Sequence, residues 1–365
     1  MTTNGNKPLR FKPCLIGYDK LSYVKPDIYA DYRILLDCSL GVNPFGCPET
    51  VKLAAREMPF PFWSYPPHPF TSTLEAICRF WQHQARVTPD ETRVYGGSME
   101  ALEVVCRAFV GEGTRVLGYL PQFADFAAAV ESLGGVYQTV DMRQKPGCAF
   151  DADAFMAALT GEQSLAYIDN PNNPTGQVIP LEQLEAILKR AAGFGTAVLI
   201  DEAYADFITK EESAVSLKPE YPNLIVARTF SKGYGMAGLR IGYIIADAGV
   251  INYCEKVSSP FAVTQQAALL AEIALEDEEF LPRSRREIAA IKGGMLAGLK
   301  RLKHHVTDNR VPISALIDPA GGDLYDSLRK KGVVTEMGGD VWLDKSAVRL
   351  RVPDSLHPLL ELLNG

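Results

Sequence analysis

A lysine and an arginine lie eight residues apart (240 − 232 = 8) in a glycine-rich stretch, residues 228–243. Lys232 follows a short β-prone run, and glycines at several nearby positions let the chain bend tightly around it. A lysine amine held in this way suits covalent chemistry on a carbonyl carbon. Taken alone, the same pattern also fits a surface lysine in a flexible loop, so the interpretation depends on the residues upstream.

The glycines of this stretch also fit a dinucleotide-binding pattern, which the neighbouring residues exclude. Gly233, Gly235 and Gly238 satisfy the spacing G-x-G-x-x-G. In dinucleotide-binding proteins that pattern opens a helix and precedes an acidic residue by about 20 positions. Residues 241–246 instead predict a strand, so we reject a dinucleotide site here.

Upstream, polar residues follow two apolar runs that predict buried strands. Asp201 ends one run, and a buried carboxylate needs a cationic or hydrogen-bonding partner. Tyr204 offers a phenol three residues later. Residues 170–176 read Asn-Pro-Asn-Asn-Pro-Thr-Gly, a rigid turn from which the Asn173 amide can point at a ligand. Alternatively, residues 170–176 form an ordinary polar turn without a ligand-binding role.

Two further segments fit a flat, phosphorylated ligand. Residues 96–102 join a strand to a helix, and the backbone N–H groups of Gly97, Ser98 and Met99 suit an anion such as phosphate. A plain helix cap explains that segment equally well. Phe123 follows the next strand and fits either a ring-stacking role or the core.

Together these residues supply the contacts expected of a pyridoxal phosphate site. Lys232 provides the Schiff-base amine, and Asp201 provides the partner of a protonated ring nitrogen. Asn173 and Tyr204 suit the ring oxygen, and Phe123 suits the ring face. The candidate phosphate ligands are Gly97, Ser98, Met99, Thr229, Ser231 and Arg240.

The elements that must position these residues alternate between strand and helix. Strands are predicted at residues 92–95, 115–119, 135–140, 164–168, 197–200, 224–227 and 241–246. This rhythm predicts an α/β fold with a mostly parallel seven-stranded sheet covered by helices on both faces. Ligands of such sheets bind at the carboxyl ends of the strands, where the polar segments fall.

The rhythm changes after residue 250. Helices are predicted at residues 263–275 and 279–302, and short strands at 313–317, 333–336 and 347–352. We therefore expect a large cofactor-binding domain at residues 46–254. A smaller α+β domain is expected to combine both termini, residues 1–45 and 255–365.

In this order, the motifs resemble the class I/II aminotransferase family, the fold type I pyridoxal-phosphate enzymes. The motifs at residues 170–176, 201–204 and 231–240 carry the resemblance, which spans roughly residues 35–355. The chain looks closest to the histidinol-phosphate aminotransferase branch and its relative, threonine-phosphate decarboxylase. The short chain, Asn-Pro-Phe-Gly at residues 43–46, and Tyr65-Pro66 support that branch.

The resemblance implies roles for individual residues. Lys232 would form the internal aldimine, with Asp201 and Tyr204 as the other catalytic residues. Tyr65 would reach across a homodimer interface to the partner's cofactor phosphate. Asn43 and Asn173 would bind substrate, and a strand near the end would supply an arginine for the substrate carboxylate. Register favours Arg349, but Arg351 would face the same side of the strand, so spacing does not choose between them.

One departure from the branch bears on the substrate. Histidinol-phosphate enzymes usually carry an arginine for the substrate phosphate after a Gly-(Ile/Val)-Val strand, where this chain has Thr335 and Glu336. An acidic group there would repel a phosphate and suit a neutral or basic side chain.

From the motifs as a whole, we predict a pyridoxal-phosphate-dependent aminotransferase that acts on an amino acid, or an amine like one, and a 2-oxo acid. The alternative is a decarboxylase resembling threonine-phosphate decarboxylase.

Composition excludes several other classes. The chain has 365 residues and a net charge of 37 − 44 = −7, which gives no basic surface for nucleic acid. No apolar run approaches the ~20 residues that cross a membrane, and residues 1–10 lack the apolar core of a secretory signal. Seven scattered cysteines and five histidines show no metal-ligand spacing, so we expect no metal. Reduced thiols favour a cytoplasmic location.

Overall fold

A computed structural model describes residues 9–22 and 33–364 of the chain. Its thirteen strands in these residues are, in chain order, β1 (Leu36–Asp37), β2 (Thr92–Tyr95), β3 (Arg115–Leu120), β4 (Val136–Asp141), β5 (Gln163–Asp169), β6 (Ala197–Asp201), β7 (Leu224–Thr229), β8 (Gly242–Ala246), β9 (Lys303–His304), β10 (Ile313–Ile317), β11 (Val333–Val334), β12 (Glu336–Met337) and β13 (Ala347–Arg351).

The α-helices of the same residues are α1 (Glu49–Glu57), α2 (Thr71–Trp81), α3 (Ser98–Phe109), α4 (Ala124–Ser132), α5 (Ala152–Ala158), α6 (Leu181–Ala192), α7 (Ala248–Glu255), α8 (Gln265–Leu275), α9 (Phe280–Gly298), α10 (Leu324–Lys330) and α11 (Leu356–Asn364). Short 3₁₀ turns connect several of these elements.

Seven strands form one sheet in the order β2-β8-β7-β6-β5-β3-β4. All neighbouring pairs are parallel except those of β8, which runs antiparallel to both β2 and β7. The predicted mostly parallel seven-stranded sheet is thereby confirmed. Because only β8 is reversed, the carboxyl ends of β2, β3, β5, β6 and β7 meet the amino end of β8 at one edge.

Both faces of this sheet are buried, as a parallel sheet requires. Along β5, Leu165 and Tyr167 belong to one hydrophobic cluster, while Ala166 and Ile168 belong to the other. This alternation follows from the two-residue period of a strand. Helices α3, α4 and α7 cover one face, and α2, α6 and α8 cover the other.

A smaller unit has its own core and two small sheets. Strands β12, β13, β10 and β9 form an antiparallel sheet in that order, and β1 pairs with β11 in parallel. Residues of α9, α10 and α11 pack with these strands in a third hydrophobic cluster. Arg349 lies on the central strand β13, so this sheet decides where the arginine points.

The strand predicted at residues 333–336 is in fact divided between the two small sheets. Val333–Val334 pairs with β1, whereas Glu336–Met337 pairs with β13. Thr335 lies between them and belongs to neither strand. The β-branched residues Val333, Val334 and Thr335 predicted one strand, because pairing partners far away in sequence leave no local signal.

The predicted helix 279–302 is too long at its C-terminal end. It ends at Gly298, after which Leu299 has extended dihedral angles and Lys303–His304 joins β10. Gly298 lies against Leu360 of α11, so close that an added Cβ would be 2.9 Å from that side chain. Packing and strand pairing therefore override the helical spacing of Leu299 and Leu302.

The division between the two domains stays a prediction, although packing favours a later boundary than residue 255. Helix α8 lies in the hydrophobic cluster of the large sheet. Helix α9 begins in that cluster with Phe280 and Leu281 and continues into the small-domain cluster with Ile288 and Met295. This helix therefore joins the two cores.

A buried lysine holds α9 to the small domain. The Nζ of Lys292 donates at 2.5–2.8 Å to the Thr307 hydroxyl and to the carbonyl oxygens of Asp308, Val311 and Ile313. The same loop reaches the large domain, because the Asp308 N–H donates to the Gly176 carbonyl at 2.9 Å. Lys292 thus joins α9 to the loop at residues 307–313, which also contacts the large domain.

We predict that Lys292→Met lowers the free energy of unfolding by about 3 kcal/mol, because it leaves four acceptors, two of them in buried hydrogen bonds, without their charged donor. Urea unfolding measures this change. Lys300→Met, at an exposed position near the end of the same helix, is the matched control and is expected to change it by less than about 0.5 kcal/mol. Equal effects of the two substitutions would contradict the structural role of Lys292.

Candidate active site

A cavity of about 180 Å³ opens at the edge of the large sheet where the strand ends converge. Ten of the site residues predicted from the sequence line it: Ser98, Met99, Phe123, Asn173, Asp201, Tyr204, Ser231, Lys232, Arg240 and Arg349. A larger cavity of about 510 Å³, between α2 and the start of α9, contains none of them. The predicted residues therefore meet in one place.

The loop that carries Lys232 is held by its main chain. The carbonyl oxygen of Lys232 accepts from the N–H groups of Asn43 at 3.0 Å and Gly235 at 3.1 Å. Gly235 has a φ of +64°, and an added Cβ would be 1.9 Å from the Gly46 carbonyl oxygen. Only glycine fits this position, which explains one of the glycines in the lysine-containing stretch.

The Lys232 amine lies in a partly desolvated, electropositive environment. Its Nζ is 5.6 Å from the centroid of the Tyr204 ring. Burial lowers the pKa of Lys232 to about 8, and the positive charges of Arg349 and Arg240 act in the same direction, whereas Asp201 opposes them. A lysine with a pKa near neutrality is partly unprotonated and can act as a nucleophile or a base.

Asp201 forms the floor of the cavity at the end of β6. Its Oδ2 accepts from the Tyr167 hydroxyl at 3.0 Å, and its Oδ1 accepts from the Ala203 N–H at 3.0 Å. Burial, and after it the charge of Asp169, raises the pKa of Asp201 to about 7. A cation bound beside this carboxyl would lower its pKa again, so Asp201 suits a positively charged ligand atom.

Asp169 is a cavity residue that the sequence analysis did not identify. It lies directly opposite Asp201 in the register of β5 and β6. Its carboxyl accepts from the Tyr119 hydroxyl, the Gln122 and Asn172 amides and the Asn173 N–H, at 2.7–3.2 Å. These bonds hold the turn at residues 170–176 against the sheet. Its position immediately before that turn was the available signal.

One end of the cavity suits an anion. Helix α3 begins there, and no side chain caps its N-terminus. The Nη1 of Arg240 donates to the Ser231 hydroxyl at 3.3 Å, and Thr229 donates to Ser231 at 2.9 Å. An added Cβ at Gly97 would be 2.6 Å from Arg240, so glycine permits this close approach. Helix N–H groups, hydroxyls and a guanidinium together match a phosphate.

Tyr204 is positioned by a glycine that sequence reasoning missed. An added Cβ at Gly41 would be 1.8 Å from the Tyr204 hydroxyl oxygen, so only glycine leaves room for the phenol. Leu40, Gly41 and Val42 line the cavity together. They belong to the segment between β1 and α1, which lies outside the large sheet and gave no periodic signal.

The structure distinguishes the two arginines of β13. Arg349 lines the cavity, and its Nη1 donates to the Asn173 Oδ1 at 3.2 Å. Arg351 is not among the lining residues; it donates to the carbonyl oxygens of Val352 and Asp37. The cavity therefore offers Arg349, and not Arg351, to a ligand carboxylate.

Four of the predicted residues are not among those that line the cavity: Gly97 and Thr229, which lie at its anion end, and Asn43 and Tyr65. The Asn43 amide donates to the Gly233 carbonyl at 2.8 Å and to the Ser284 hydroxyl at 3.0 Å. It thereby ties the lysine loop to α9 instead of facing a ligand. Tyr65 is 82% exposed and packs beside Phe261, with ring centroids 4.8 Å apart.

A buried ionic cluster supports the lysine loop from behind, and the sequence analysis missed it as well. Arg228 of β7 forms ion pairs with Glu202 and Asp206, and all three residues are buried. Asp206 packs against Gly233, where an added Cβ would be 2.1 Å from the aspartate Cβ. The pairing satisfies charges that would be costly if buried alone.

Within residues 9–22 and 33–364, no group of three or more potential ligands could hold a metal ion. No helix of these residues is long and apolar enough to span a membrane. All seven cysteines lie in this part of the chain and are unpaired.

Comparison with known proteins agrees with the geometry. Residues 33–356 match the family described as aminotransferase class I and II. The chain is 31% identical over 341 residues to histidinol-phosphate aminotransferase 1 of Cupriavidus pinatubonensis, which covers 92% of this chain and 89% of that protein. It is 33% identical over 245 residues to histidinol-phosphate aminotransferase 2 of Hydrogenovibrio crunogenus, covering 66% of this chain and 63% of that protein.

A solved structure supports the fold. The histidinol-phosphate aminotransferase of Sinorhizobium meliloti, in complex with pyridoxal-5′-phosphate, superimposes with a TM-score of 0.84 at 24% identity. The match covers 99% of this chain and 97% of that one. These findings confirm the resemblance that the motifs predicted.

We predict that the Lys232 amine of the ligand-free protein titrates near pH 8, because burial and the neighbouring arginines disfavour its charged form. Labelling with an amine-selective acylating reagent across a pH series, followed by peptide mass spectrometry, measures this midpoint. Arg349→Gln is expected to raise it and Asp201→Asn to lower it. Labelling of the exposed Lys256 provides the internal reference for reagent reactivity. If neither substitution changes the midpoint of Lys232 labelling, this account of the site is wrong.

Proposed function

This chain belongs to the class I and II aminotransferase family and is a pyridoxal 5′-phosphate-dependent aminotransferase, and we propose that Lys232 and Asp201 carry its chemistry. The observation that supports this assignment is that both side chains line one cavity, with Arg349 at the same site. The reaction exchanges an amino group between an amino acid, or an amine like one, and a 2-oxo acid. The relatives named above are aminotransferases, which favours transfer over the decarboxylation kept as an alternative.

The residues present fit pyridoxal phosphate. The uncapped N-terminus of α3, together with Arg240, matches the phosphate, and the Asp201 carboxyl suits a protonated ring nitrogen. Asn173 and Tyr204 would hold the ring oxygen, and Phe123 would cover a ring face. The residues that would hold the phosphate are Gly97, Ser98, Met99, Thr229, Ser231 and Arg240, with Tyr65 contributed by a second subunit.

When bound, the cofactor supplies a carbonyl carbon that accepts an amine and a ring that accepts electrons. Lys232 would hold the cofactor through its Nζ and would move a proton at that atom when a substrate amine is bound. Its lowered pKa lets the amine both accept and return this proton. Asp201, held by Tyr167 and Ala203, would pair with a protonated ring nitrogen and favour that protonation state.

Arg349 would bind the substrate carboxylate. Its Nη1 is aligned by Asn173, and both residues face the cavity, whereas Arg351 is engaged by main-chain carbonyls. Asn173 would therefore serve both cofactor and substrate. For Asn43 we propose a role in positioning, because its contacts with Gly233 and Ser284 hold the lysine loop.

We propose a homodimer as the active form. Phe62, Trp63 and Tyr65 are 92%, 76% and 82% exposed and lie close together in one loop. Exposed aromatic clusters of this kind are typical of protein interfaces. A second copy of the chain would bury the loop and bring Tyr65 to the partner's phosphate-binding residues. We also propose a cytoplasmic location, which the seven unpaired cysteines support.

Lys232→Ala tests the assignment directly. We expect the purified protein to lose the visible absorbance of the bound cofactor and at least about a thousand-fold in turnover, because no other amine can replace Lys232. A panel of amino acids, followed by absorbance in single turnovers and by 2-oxo acid release, measures both. Lys256→Ala, which removes an exposed lysine, is the control. A Lys232→Ala protein that retains absorbance and turnover would exclude the mechanism.

Mixing two inactive variants tests the dimer. In a heterodimer of Lys232→Ala and Tyr65→Ala subunits, one site receives an intact Lys232 and an intact Tyr65, provided that Tyr65 acts in the partner's cavity. Random reassociation should then restore about a quarter of the wild-type activity. Sedimentation velocity checks the oligomeric state. A monomeric protein, or mixtures that stay inactive, would show that Tyr65 does not act across an interface.

A further inference from the structure

The arginine of the cavity has an acidic partner inside the protein. Glu336 of β12 lies directly opposite Arg349 of β13 in the sheet register, and Ala315 of β10 lies opposite Arg349 on its other side. The Glu336 Oε2 is 3.3 Å from the Arg349 Nη2. Both side chains are buried, with 7% and 3% of their surface exposed. The ion pair is therefore shielded from solvent and weakly screened by salt.

The nitrogen atoms of the Arg349 guanidinium have different partners, some inside the protein and one at the cavity. Nη2 donates to the Ser39 carbonyl and to Glu336, and Nη1 donates to the Asn173 amide at the cavity. Nε is buried and has no acceptor within the described residues. Arg349 thus offers donors to a carboxylate while its positive charge is already balanced by Glu336.

The other charges leave no partner for a second anion at this end of the cavity. In the part of the chain that the structure describes, the cavity-lining cations are Lys232, Arg240 and Arg349. Arg240 lies at the α3 end, and Lys232 is the catalytic amine. A second negative group near Arg349 would therefore be attracted only weakly, because the Glu336 carboxylate already pairs with that guanidinium.

We propose that Glu336 determines substrate specificity by balancing the charge of Arg349. The site then accepts monocarboxylic amino acids with neutral or cationic side chains and discriminates against a second carboxylate or a phosphate monoester. This inference rests on the proposed function. A phosphate monoester carries nearly two negative charges near neutral pH and is disfavoured more than a single carboxylate.

The same rule applies to the amino acceptor. Donor and acceptor occupy one cavity in turn, so Arg349, with its charge balanced by Glu336, meets the carboxylates of both. A 2-oxo acid with one carboxylate, such as pyruvate, is therefore a better acceptor than 2-oxoglutarate. Glu336 acts through Arg349 and through its charge, because it is not among the residues that line the cavity.

The test compares Glu336→Gln with Glu336→Asp, which keeps the charge, and with Glu162→Gln, which removes a carboxylate from an exposed ion pair with Arg115. Single turnovers of the holoenzyme give kcat/KM for alanine, lysine, aspartate, glutamate and histidinol phosphate, and those of its aminated form give kcat/KM for pyruvate and 2-oxoglutarate. Calorimetry gives the affinity for maleate, an unreactive dicarboxylate, and for propionate.

We expect the wild type to prefer alanine or lysine and pyruvate over their anionic counterparts. Glu336→Gln should raise the kcat/KM of anionic substrates relative to that of neutral substrates roughly tenfold. It should strengthen maleate binding relative to propionate binding by a similar factor. Glu336→Asp and Glu162→Gln should keep the wild-type ratios. If Glu336→Gln does not fold, the wild-type ratios and those of Glu336→Asp still carry the test.

A wild-type preference for anionic substrates would overturn the inference, as would a Glu336→Gln variant whose ratios do not change. A uniform loss with every substrate would mean that Glu336 only stabilises the fold, which thermal unfolding would reveal. These outcomes differ from failure of the proposed function, in which no amino acid would change the cofactor absorbance of the wild type.

Discussion

The structure depends on the burial of a carboxyl and an amine in the same cavity. Asp201 and Lys232 lie on neighbouring strand ends, and each changes the pKa of the other: the carboxylate raises that of the lysine, and the ammonium lowers that of the aspartate. Desolvation outweighs this mutual attraction, so the pKa values move towards each other, to about 7 and about 8. Two groups that titrate near neutral pH at one site can exchange protons with a ligand at little cost.

Keeping two such groups buried requires a rigid surrounding. The register of β5 and β6 holds Asp169 beside Asp201, and four donors then satisfy Asp169. Behind the lysine, the ion pairs of Arg228 hold the chain that turns towards Gly233. These charges are paired before any ligand arrives, so ligand binding does not have to order them. The arrangement is electrostatically prepared for an anion at one end and a cation on the floor.

The small domain contributes the remaining recognition group. Strand β13 carries Arg349 to the cavity, and α9 couples that domain to the lysine loop through Ser284 and Asn43. A shift of the small domain would therefore move the arginine and the lysine loop together. Glu336, which balances the charge of Arg349, also lies in this domain. The residues proposed to select substrates by charge are therefore separate from the sheet that holds the cofactor-binding residues.

The sequence by itself determined the alternation of strands and helices in the large sheet, the aminotransferase motifs, and ten residues that meet in the cavity, because alternating apolar segments and glycine-rich turns are local signals. Spacing alone did not separate Arg349, which the register favoured, from Arg351, since both face one side of a strand and only their contacts with Asn173 and Asp37 distinguish them. Nor did the sequence identify Asp169, Gly41 or the ion pairs of Arg228, or the positioning contacts of Asn43. Those features depend on contacts between residues far apart in the chain, and only the tertiary structure decided which side chains meet.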